Sequence, residues 1–274
     1  MWATRRLSSN GTVLNLTYSF SSGGGNNGSV YSITNNLDTG RTQTFTYDEL
    51  NRVSTAQSQA TAGADCWGQS FGYDRYSNLL SVSVTKCSAP SLSVSVNGNN
   101  RITNTGFTYD AAGNMTNDGS YAYAYDAEER VNSAAGVTYT FDGNGKRVKK
   151  SAGRLYWNSL SCGQGALFET DLSGNLLDEY VFFKGRRIAR RTAAGAVYYF
   201  FSDHLGSNRV VTNATGAVAE DSDYYPFGGE LVFTDTLDNN YKFIGHERDT
   251  ESGLTTTSSA CCLRALGGGR RPTR

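Results

Sequence analysis

The chain has 274 residues, in which 25 Lys and Arg balance 25 Asp and Glu; Gly (31), Tyr (17) and Phe (13) are plentiful, while Pro (3) and Met (2) are scarce. The neutral balance argues against a nucleic-acid groove or a polybasic anchor as the main task, and no run approaches the ~18 apolar residues of a membrane-spanning helix. Aromatic residues are too frequent for disorder, and the Tyr, Thr, Val, Gly and Asn bias predicts an all-β protein rich in turns.

Met1–Arg6 is basic, but no apolar run follows. It does not read as a secretory leader, so a chain made as written would stay in the cytoplasm. Residues 21–28 (SSGGGNNG) predict a loop rather than a phosphate cradle, because neither the Lys-Ser/Thr ending nor a helical pattern follows.

A repeated unit then organises the chain: FTYDELNRV at 45–53, FGYDRYSNLL at 71–80, FTYDAAGNMT at 107–116, YAYDAEERV at 123–131 and YTFDGNGKRV at 139–148. Its aspartates, Asp48, Asp74, Asp110, Asp126 and Asp142, are spaced by 26, 36, 16 and 16. A step of 16 fits one hairpin and its connecting turn. Alternate aromatics share one strand face, the Asp caps the turn through its side chain, and Gly113 or Gly145 supplies the positive φ that closes it. Asn51 and Asn78 stand in for that Gly in the first two units. After the turn, Arg or Lys is expected outward and the β-branched residue inward, as in Arg147-Val148. Catalytic or calcium-binding aspartates are the weaker reading, since repetition at turn positions is what structural aspartates display.

Cys66 and Cys87 flank a strand-rich segment, and either a disulfide across a hairpin or two unrelated thiols is compatible with the sequence. Cys162, Cys261 and Cys262 show no metal spacing. Residues 91–96 alternate and Asn97-Gly98 predicts a turn returning at Arg101-Ile102. Beyond Gly153 the repeats loosen, with strands predicted at 181–183, 197–201 and 209–211. The basic run Lys184–Arg191 predicts a hairpin with a charged, exposed face. Contact with nucleic acid or headgroups is its weaker reading.

Three further segments carry a family resemblance. Residues 199–213 (YFFSDHLGSNRVVTN) contain Asp203-His204-Leu205-Gly206-Ser207 followed by Arg209; residues 223–228 read DYYPFG, with Pro226 and Gly228; residues 241–254 read YKFIGHERDTESGL, with Gly245, Glu247 and Arg248. With the aromatic-Tyr-Asp units, they resemble the YD repeats and core-associated region of Rhs proteins over nearly all of 30–254. The resemblance implies antiparallel hairpins wound into a curved, spiral sheet, here a partial segment of a hollow β-shell. In that family the shell encloses a C-terminal toxin, the core region plugs one end, and an element around Asp-Pro-x-Gly releases the cargo. Eukaryotic teneurins use a similar shell for adhesion. Implied partners are the rest of the shell and a toxin, in a parent that is extracellular or on the cell surface.

After Leu254 the sequence departs from the family's Asp-Tyr-x-x-Ala-Arg-Tyr-Tyr continuation. With one choice of codons for 266–274, a one-base shift reads Gly-Arg-Trp-Thr-Ser-Pro-Asp-Pro, which suggests a frameshift near codon 254, although no codon choice restores Ala-Arg-Tyr-Tyr at 258–265. Resequencing the gene there tests the idea, and an intact frame ends it. Four of the 25 basic residues and none of the acidic ones lie in 255–274, which leaves 1–254 at a net charge of −4.

The expected organisation is a YD-repeat sheet over 1–152, a core-associated region over 153–254 and an aberrant, disordered tail over 255–274. The expected function is non-catalytic: containment by a fragment of a toxin-enclosing wall, without cofactor or metal and ending before the release element. The alternative is a surface adhesion or carbohydrate-binding module. An enzyme ranks third. Asp203, His204 and a neighbouring Ser are adjacent rather than convergent, no Gly-x-Ser-x-Gly elbow exists, and no acid pair stands out by spacing.

Overall fold

The computed structural model describes residues 4–9, 12–21, 23, 25–158, 165–256 and 262–264. Strands β1 (Thr4–Ser9), β2 (Leu14–Ser19), β3 (Ser32–Asn35), β4 (Gln43–Tyr47), β5 (Val53–Ser58), β6 (Trp67–Tyr73), β7 (Leu79–Cys87) and β8 (Leu92–Ser93) form one sheet in chain order. Strands β9 (Phe107–Tyr109) and β10 (Met115–Asp118) make a two-stranded ribbon. A 12-stranded sheet follows, again in chain order. It comprises β11 (Tyr123–Tyr125), β12 (Val131–Ala134), β13 (Val137–Phe141), β14 (Arg147–Lys150), β15 (Arg154–Asn158), β16 (Ala166–Thr170), β17 (Leu176–Phe183), β18 (Arg186–Thr192), β19 (Val197–Ser202), β20 (Asn208–Asn213), β21 (Val218–Tyr224) and β22 (Glu230–Asp235). All pairings are antiparallel, and the only helical pieces among the described residues are 3-10 turns at Thr39–Arg41 and Phe243–Gly245. The all-β antiparallel architecture expected from the sequence is therefore the one found.

The hairpin loop explains why the array propagates. Asp48 Oδ1 accepts from the N–H groups of Leu50 and Arg52, both at 2.9 Å, while the Asp48 N–H donates to the Arg52 carbonyl and the Asn51 N–H to the Asp48 carbonyl. This is a three-residue loop with a left-handed last residue and a bulge. Asp74, Asp126 and Asp142 repeat it, and Asp110 bonds the Asn114 N–H and side-chain amide. The left-handed residue always stands three after the Asp, and that corrects one expectation. It is Ser77 (φ 63°), not Asn78, in the second unit and Glu129 (φ 61°) in the fourth. The carboxylate bonds fix the loop firmly enough to hold non-Gly residues in a conformation costing about 1–2 kcal/mol. Asn78 is instead buried, with its amide on Asp74 Oδ2.

The same loop continues past Gly153, with Asp171, Asp203 and Asn213 as its caps. The turn at 97–101 also adopts it, the Asn97 side chain capping and Asn100 taking φ 58°, so it is not the two-residue Asn97-Gly98 turn expected. The expected boundary between 152 and 153 falls in the short turn joining β14 to β15, which pair within one continuous sheet.

The two large sheets meet over β20–β22. Leu14, Leu16 and Tyr18 pack on Val210, and Ala56, Trp67, Phe71 and Val82 pack with Tyr225 and the half-buried Leu231. The Trp67 and Tyr225 rings meet edge-on at 4.9 Å. On the opposite face of the 12-stranded sheet, Phe200, Val211 and Ala219 pack with Leu237, and Val131, Ala134 and Tyr139 with Leu254. Strand alternation sends Val210 to one layer and Val211 to the other. Of the two readings of the cysteines, the bonded one holds: Cys66 and Cys87 form a disulfide with Cα atoms 5.8 Å apart. It links the residue before β6 to the end of β7.

Two short strands are described at the start of, and within, the segment expected as a tail. Strand β23 (Leu254–Thr256) pairs with β24 (Cys262–Arg264). The rest of 255–274, with Cys261, lies outside the described residues, as do Cys162 and parts of the 21–28 loop.

Candidate functional site

On the face of the 12-stranded sheet opposite the β1–β8 layer, residues 237–256 run across the strands and are fastened by buried charge. The segment is extended at 247–249, so side chains alternate. Glu247 and Asp249 turn to the sheet and Arg248 turns away. Glu247 Oε2 accepts from Arg147 Nη2 at 2.7 Å and Oε1 from the Tyr156 hydroxyl at 2.8 Å. Asp249 receives Arg147 Nη1 and Lys150 Nζ, each at 2.9 Å. Glu251 adds a second contact to Lys150 at 2.9 Å. Arg248 Nη1 reaches Glu230 at 2.6 Å and its Nη2 the Gly228 carbonyl.

The network extends along the segment. Lys242 meets Glu220 at 3.0 Å and Glu230 at 3.3 Å. The Tyr241 hydroxyl donates to Glu169 at 2.6 Å, and Glu169 also pairs with Arg154. Arg190 pairs with Asp178 at 2.6 Å and reaches the Asp238 carbonyl. Arg187 is buried without an ion pair among the described residues, its guanidinium 3.3 Å from the Tyr241 ring centroid and also over Tyr180.

Ions removed from water are tolerable only when paired and hydrogen-bonded. Burial pushes the Glu247 carboxyl up, with Arg147 opposing and Glu169 adding to the rise. Burial likewise raises Glu220 against the pull of Lys242. For Arg147, burial works downward, but Glu247 and Asp249 outweigh it and hold the guanidinium well above its ordinary value. Desolvation offsets much of the Coulomb gain of such buried pairs.

A second cluster joins the two sheets. Asp223, buried at 2 % exposure, sits between Arg209 and Arg41, and Arg41 forks across Asp221 at 2.7 and 2.8 Å. Burial alone would raise Asp223, but the two guanidinium groups hold it below the usual carboxylate range.

The sequence motifs frame these clusters. Asp203 Oδ1 accepts from Leu205 and Ser207 N–H groups at 2.9 Å, Gly206 closes that loop, and the His204 ring packs on Tyr18 at 4.4 Å. Ser207 Oγ accepts from the Ile244 N–H, so Asp203, His204 and Ser207 are spent on three different contacts. Pro226 occupies the second position of the Tyr225–Gly229 turn, and Gly228 lies against Phe243, where a Cβ would stand 2.7 Å from a ring carbon. Gly245 closes the Lys242–His246 turn.

Two expectations about charge are corrected. Arg147 faces the seam rather than solvent, because Glu247 and Asp249 wait there. Within the basic run, Arg187 and Arg190 are buried while Ile188 is 41 % exposed, so the charged side is partly the covered one. Sequence reasoning missed Arg147, Lys150, Glu169 and Lys242, whose partners lie up to about 100 residues away along the chain.

Among the described residues, no group of three or more His, Cys, Asp or Glu is placed to hold a metal ion, and no helix is long and apolar enough to cross a membrane.

No protein-family model matches the chain. It is 24% identical over 200 residues to the tRNA nuclease WapA of Bacillus subtilis (strain 168), covering 67% of this chain and 9% of that protein. It is 25% identical over 250 residues to Teneurin-1 of Gallus gallus, covering 77% of this chain and 9% of that protein. Among solved structures, the Photorhabdus luminescens Tc holotoxin pore matches with a TM-score of 0.69 at 16% identity over 92% of this chain and 15% of that one. A TcdB2-TccC3-Cdc42 crystal structure matches with a TM-score of 0.67 at 17% identity over 88% of this chain and 15% of that one. The chain thus spans about a tenth of the length of the curated relatives it matches.

Proposed function

We infer that this chain, a member of the Rhs/YD-repeat family, acts as a wall-and-plug segment of a toxin-enclosing β-shell and performs no catalysis itself. The observation that carries the reading is the buried seam, in which the chain's own residues 237–256 are locked across one face of a continuous hairpin array by Arg147, Lys150, Glu247 and Asp249. A wall needs many identical turns, and a plug needs one fixed position; capped loops and a buried ionic lock supply these two properties. The turn residues Asp48, Asp74, Asp110, Asp126 and Asp142, with Gly113 and Gly145, build the wall. Asp203, Gly206, Arg209, Pro226, Gly228, Gly245, Glu247 and Arg248 position the plug. The partners would be the remainder of the shell and a cargo domain.

The Cys66–Cys87 disulfide supports a working place outside the reducing cytosol. Relatives named for tRNA cleavage make the catalytic question direct. Purified chain incubated with tRNA should leave it intact; cleavage abolished by no more than a contaminant control would still support a wall, whereas cleavage that copurifies with the chain overturns the non-catalytic reading. Sequencing the DNA on both sides tests the containment reading. An upstream repeat array and a downstream effector with an immunity gene are expected, and isolated repeats would oppose it.

The adhesion reading draws on the match to Teneurin-1 and on outward aromatics. Trp157 and Phe168 are 48 % and 36 % exposed, and Tyr199 is 45 % exposed. The Trp157 and Phe168 rings stack on each other at 5.4 Å and 13°, which uses one face of each and reduces the flat platform offered to a sugar. Specific hits on a glycan array, lost in Trp157→Ala, would favour adhesion over the shell.

A further inference from the structure

We propose that Asn97 is a self-modification site: the Gly98 backbone nitrogen attacks its side-chain amide, and hydrolysis turns this neutral turn cap into the carboxylate cap of the aspartate loops. The inference is independent of whether the chain encloses a cargo.

The loop at 97–101 copies the aspartate loops with an amide in place of the acid. Asn97 Oδ1 accepts from the N–H groups of Asn99 and Arg101 at 2.9 and 3.1 Å, as Asp48 Oδ1 does from Leu50 and Arg52. The residue four after the cap is Arg in both loops, and in the Asp126 loop as well. Arg52 Nε pairs with Asp48 Oδ2, and Arg130 Nε with Asp126 Oδ2, both at 2.7 Å. Each guanidinium also lies over the ring just before the next capping Asp, Arg52 over Tyr73 and Arg130 over Phe141. Arg101 takes the same place over Tyr109, yet it makes no ion pair among the described residues. Oδ1 of Asn97 is spent on the turn, so the group left for Arg101 is an NH2, a donor that a guanidinium cannot use.

The groups that the reaction needs are disposed for it. A Cβ on Gly98 would meet nothing within 4 Å, and the Gly98 N–H makes no hydrogen bond among the described residues, so the nucleophile is free and open. The two N–H groups on Asn97 Oδ1 are in place to hold the charge that develops on that oxygen. Asn97 Nδ2, the leaving group, has no hydrogen-bond partner among the described residues. The Gly98 nitrogen loses its proton to solvent base and bonds to Asn97 Cγ, pushing the carbonyl pair onto Oδ1. That pair returns as the Cγ–Nδ2 bond breaks, and Nδ2 leaves with a solvent proton as ammonia. Water then opens the five-membered imide at Cγ: its hydroxyl stays on Cγ, and its hydrogen returns to the Gly98 nitrogen. The sum is one water consumed and one ammonia released, with no change of oxidation state. Opening at Cγ is favoured over the Asn97 backbone carbonyl, because Oδ1 holds two N–H donors and the backbone oxygen one, from Asn100.

Asn27-Gly28, also exposed, is the internal control. The Gly28 N–H donates to Asn26 Oδ1 at 2.8 Å. Asn27 Nδ2 donates to the Tyr31 hydroxyl at 3.1 Å and to Asn51 Oδ1 at 3.4 Å, while Asn27 Oδ1 accepts from Ser29. There the nucleophile and the leaving group are both held, and the developing charge has one donor.

The test incubates the full chain in mildly alkaline buffer and follows both Asn-Gly pairs by peptide mass spectrometry. Asn97 is expected to convert about 5- to 10-fold faster than Asn27, the worth of one further N–H bond to the developing charge, with normal aspartate as the main product. In urea the two rates should converge, because both are then the same dipeptide in an open chain. Asn97→Asp reproduces the product and should raise the thermal midpoint by about 1–2 °C. Arg101→Gln in the Asn97→Asp background should remove that gain. The proposal is overturned by conversion of Asn97 no faster than Asn27 in the folded chain, by a preference that persists in urea, or by iso-aspartate as the main product. It is equally overturned if Asn97→Asp brings no gain or one that survives Arg101→Gln.

Discussion

Arg147 and Asp249 form a fully buried ion pair at 2.9 Å between residues 102 positions apart. Arg147 comes from the return strand of the fifth repeat unit and Asp249 from the segment laid across the sheet, so this one contact joins the repeat array to the chain that crosses it. Arg147→Met removes the cation shared by the two carboxylates and leaves Glu247 without an ion pair and Asp249 with Lys150 alone in a buried site. The expected loss is about 3–5 kcal/mol, measured by urea denaturation. Combining Arg147→Met with Glu247→Gln and Asp249→Asn should cost less than Arg147→Met alone, since no uncompensated charge remains. A triple variant that is additively worse would mean that the pair adds stability beyond its own desolvation.

How much of this was legible in the sequence depends on the range of each interaction. The hairpin loop is local: Asp48, Leu50 and Arg52 contain the whole device, so spacing alone revealed the array. Even there, the left-handed position was misassigned at Asn78, because residue preference suggested Asn while bond counting from Asp74 selects Ser77. The seam was only half legible. The Glu247-Arg248-Asp249 motif marked one side of it, but the outward reading of Arg147 followed from strand alternation without its partner. A buried Arg and an exposed Arg look alike until the opposing carboxylates, about 100 residues on, are in place. The disulfide remained one of two readings because two cysteines carry no geometry until β6 and β7 are paired.

Reduction of Cys66–Cys87 tests the staple at the end of the β6–β7 pair. The bond closes a loop with a sequence separation of 21, for which the loss of unfolded-state restraint is about 3 kcal/mol. Cys66→Ser with Cys87→Ser should lower the unfolding free energy by this amount and make it indifferent to dithiothreitol. The wild type should lose a similar amount on addition of reductant. Equal stability with and without reductant would show that the bond contributes nothing to the fold.

Gly228 and Gly216 separate backbone strain from steric contact. Both have left-handed backbones, with φ of 88° and 86°. A Cβ at Gly216 meets nothing within 4 Å, whereas at Gly228 it would lie 2.7 Å from the Phe243 ring. Gly216→Ala should cost about 1–2 kcal/mol from the backbone alone. Gly228→Ala should cost about 2–4 kcal/mol, because Phe243 must also move. Thermal unfolding of the two variants side by side checks the difference, and equal losses would indicate that Phe243 yields freely.

Two carboxylates with opposite shifts give the stability profile its shape in acid. Asp223 is held below its unfolded value of about 3.9 by Arg209 and Arg41, against the effect of burial. Its contribution is therefore complete above pH 4 or so, and it is lost as pH falls through the lower folded value. Glu247 is raised by burial above its unfolded value of about 4.3. In the window above that value the folded state binds more protons than the unfolded one, so this contribution declines as pH rises through the folded value. Unfolding free energies measured from pH 3 to 8 should then show Asp223→Asn converging on the wild type at the acid end and diverging toward neutrality. Glu247→Gln should flatten the decline between mildly acidic and neutral pH. A Glu247→Gln profile parallel to that of the wild type would place the proton of that window on another group, with Glu220, also raised by burial beside Lys242, as the next residue to substitute.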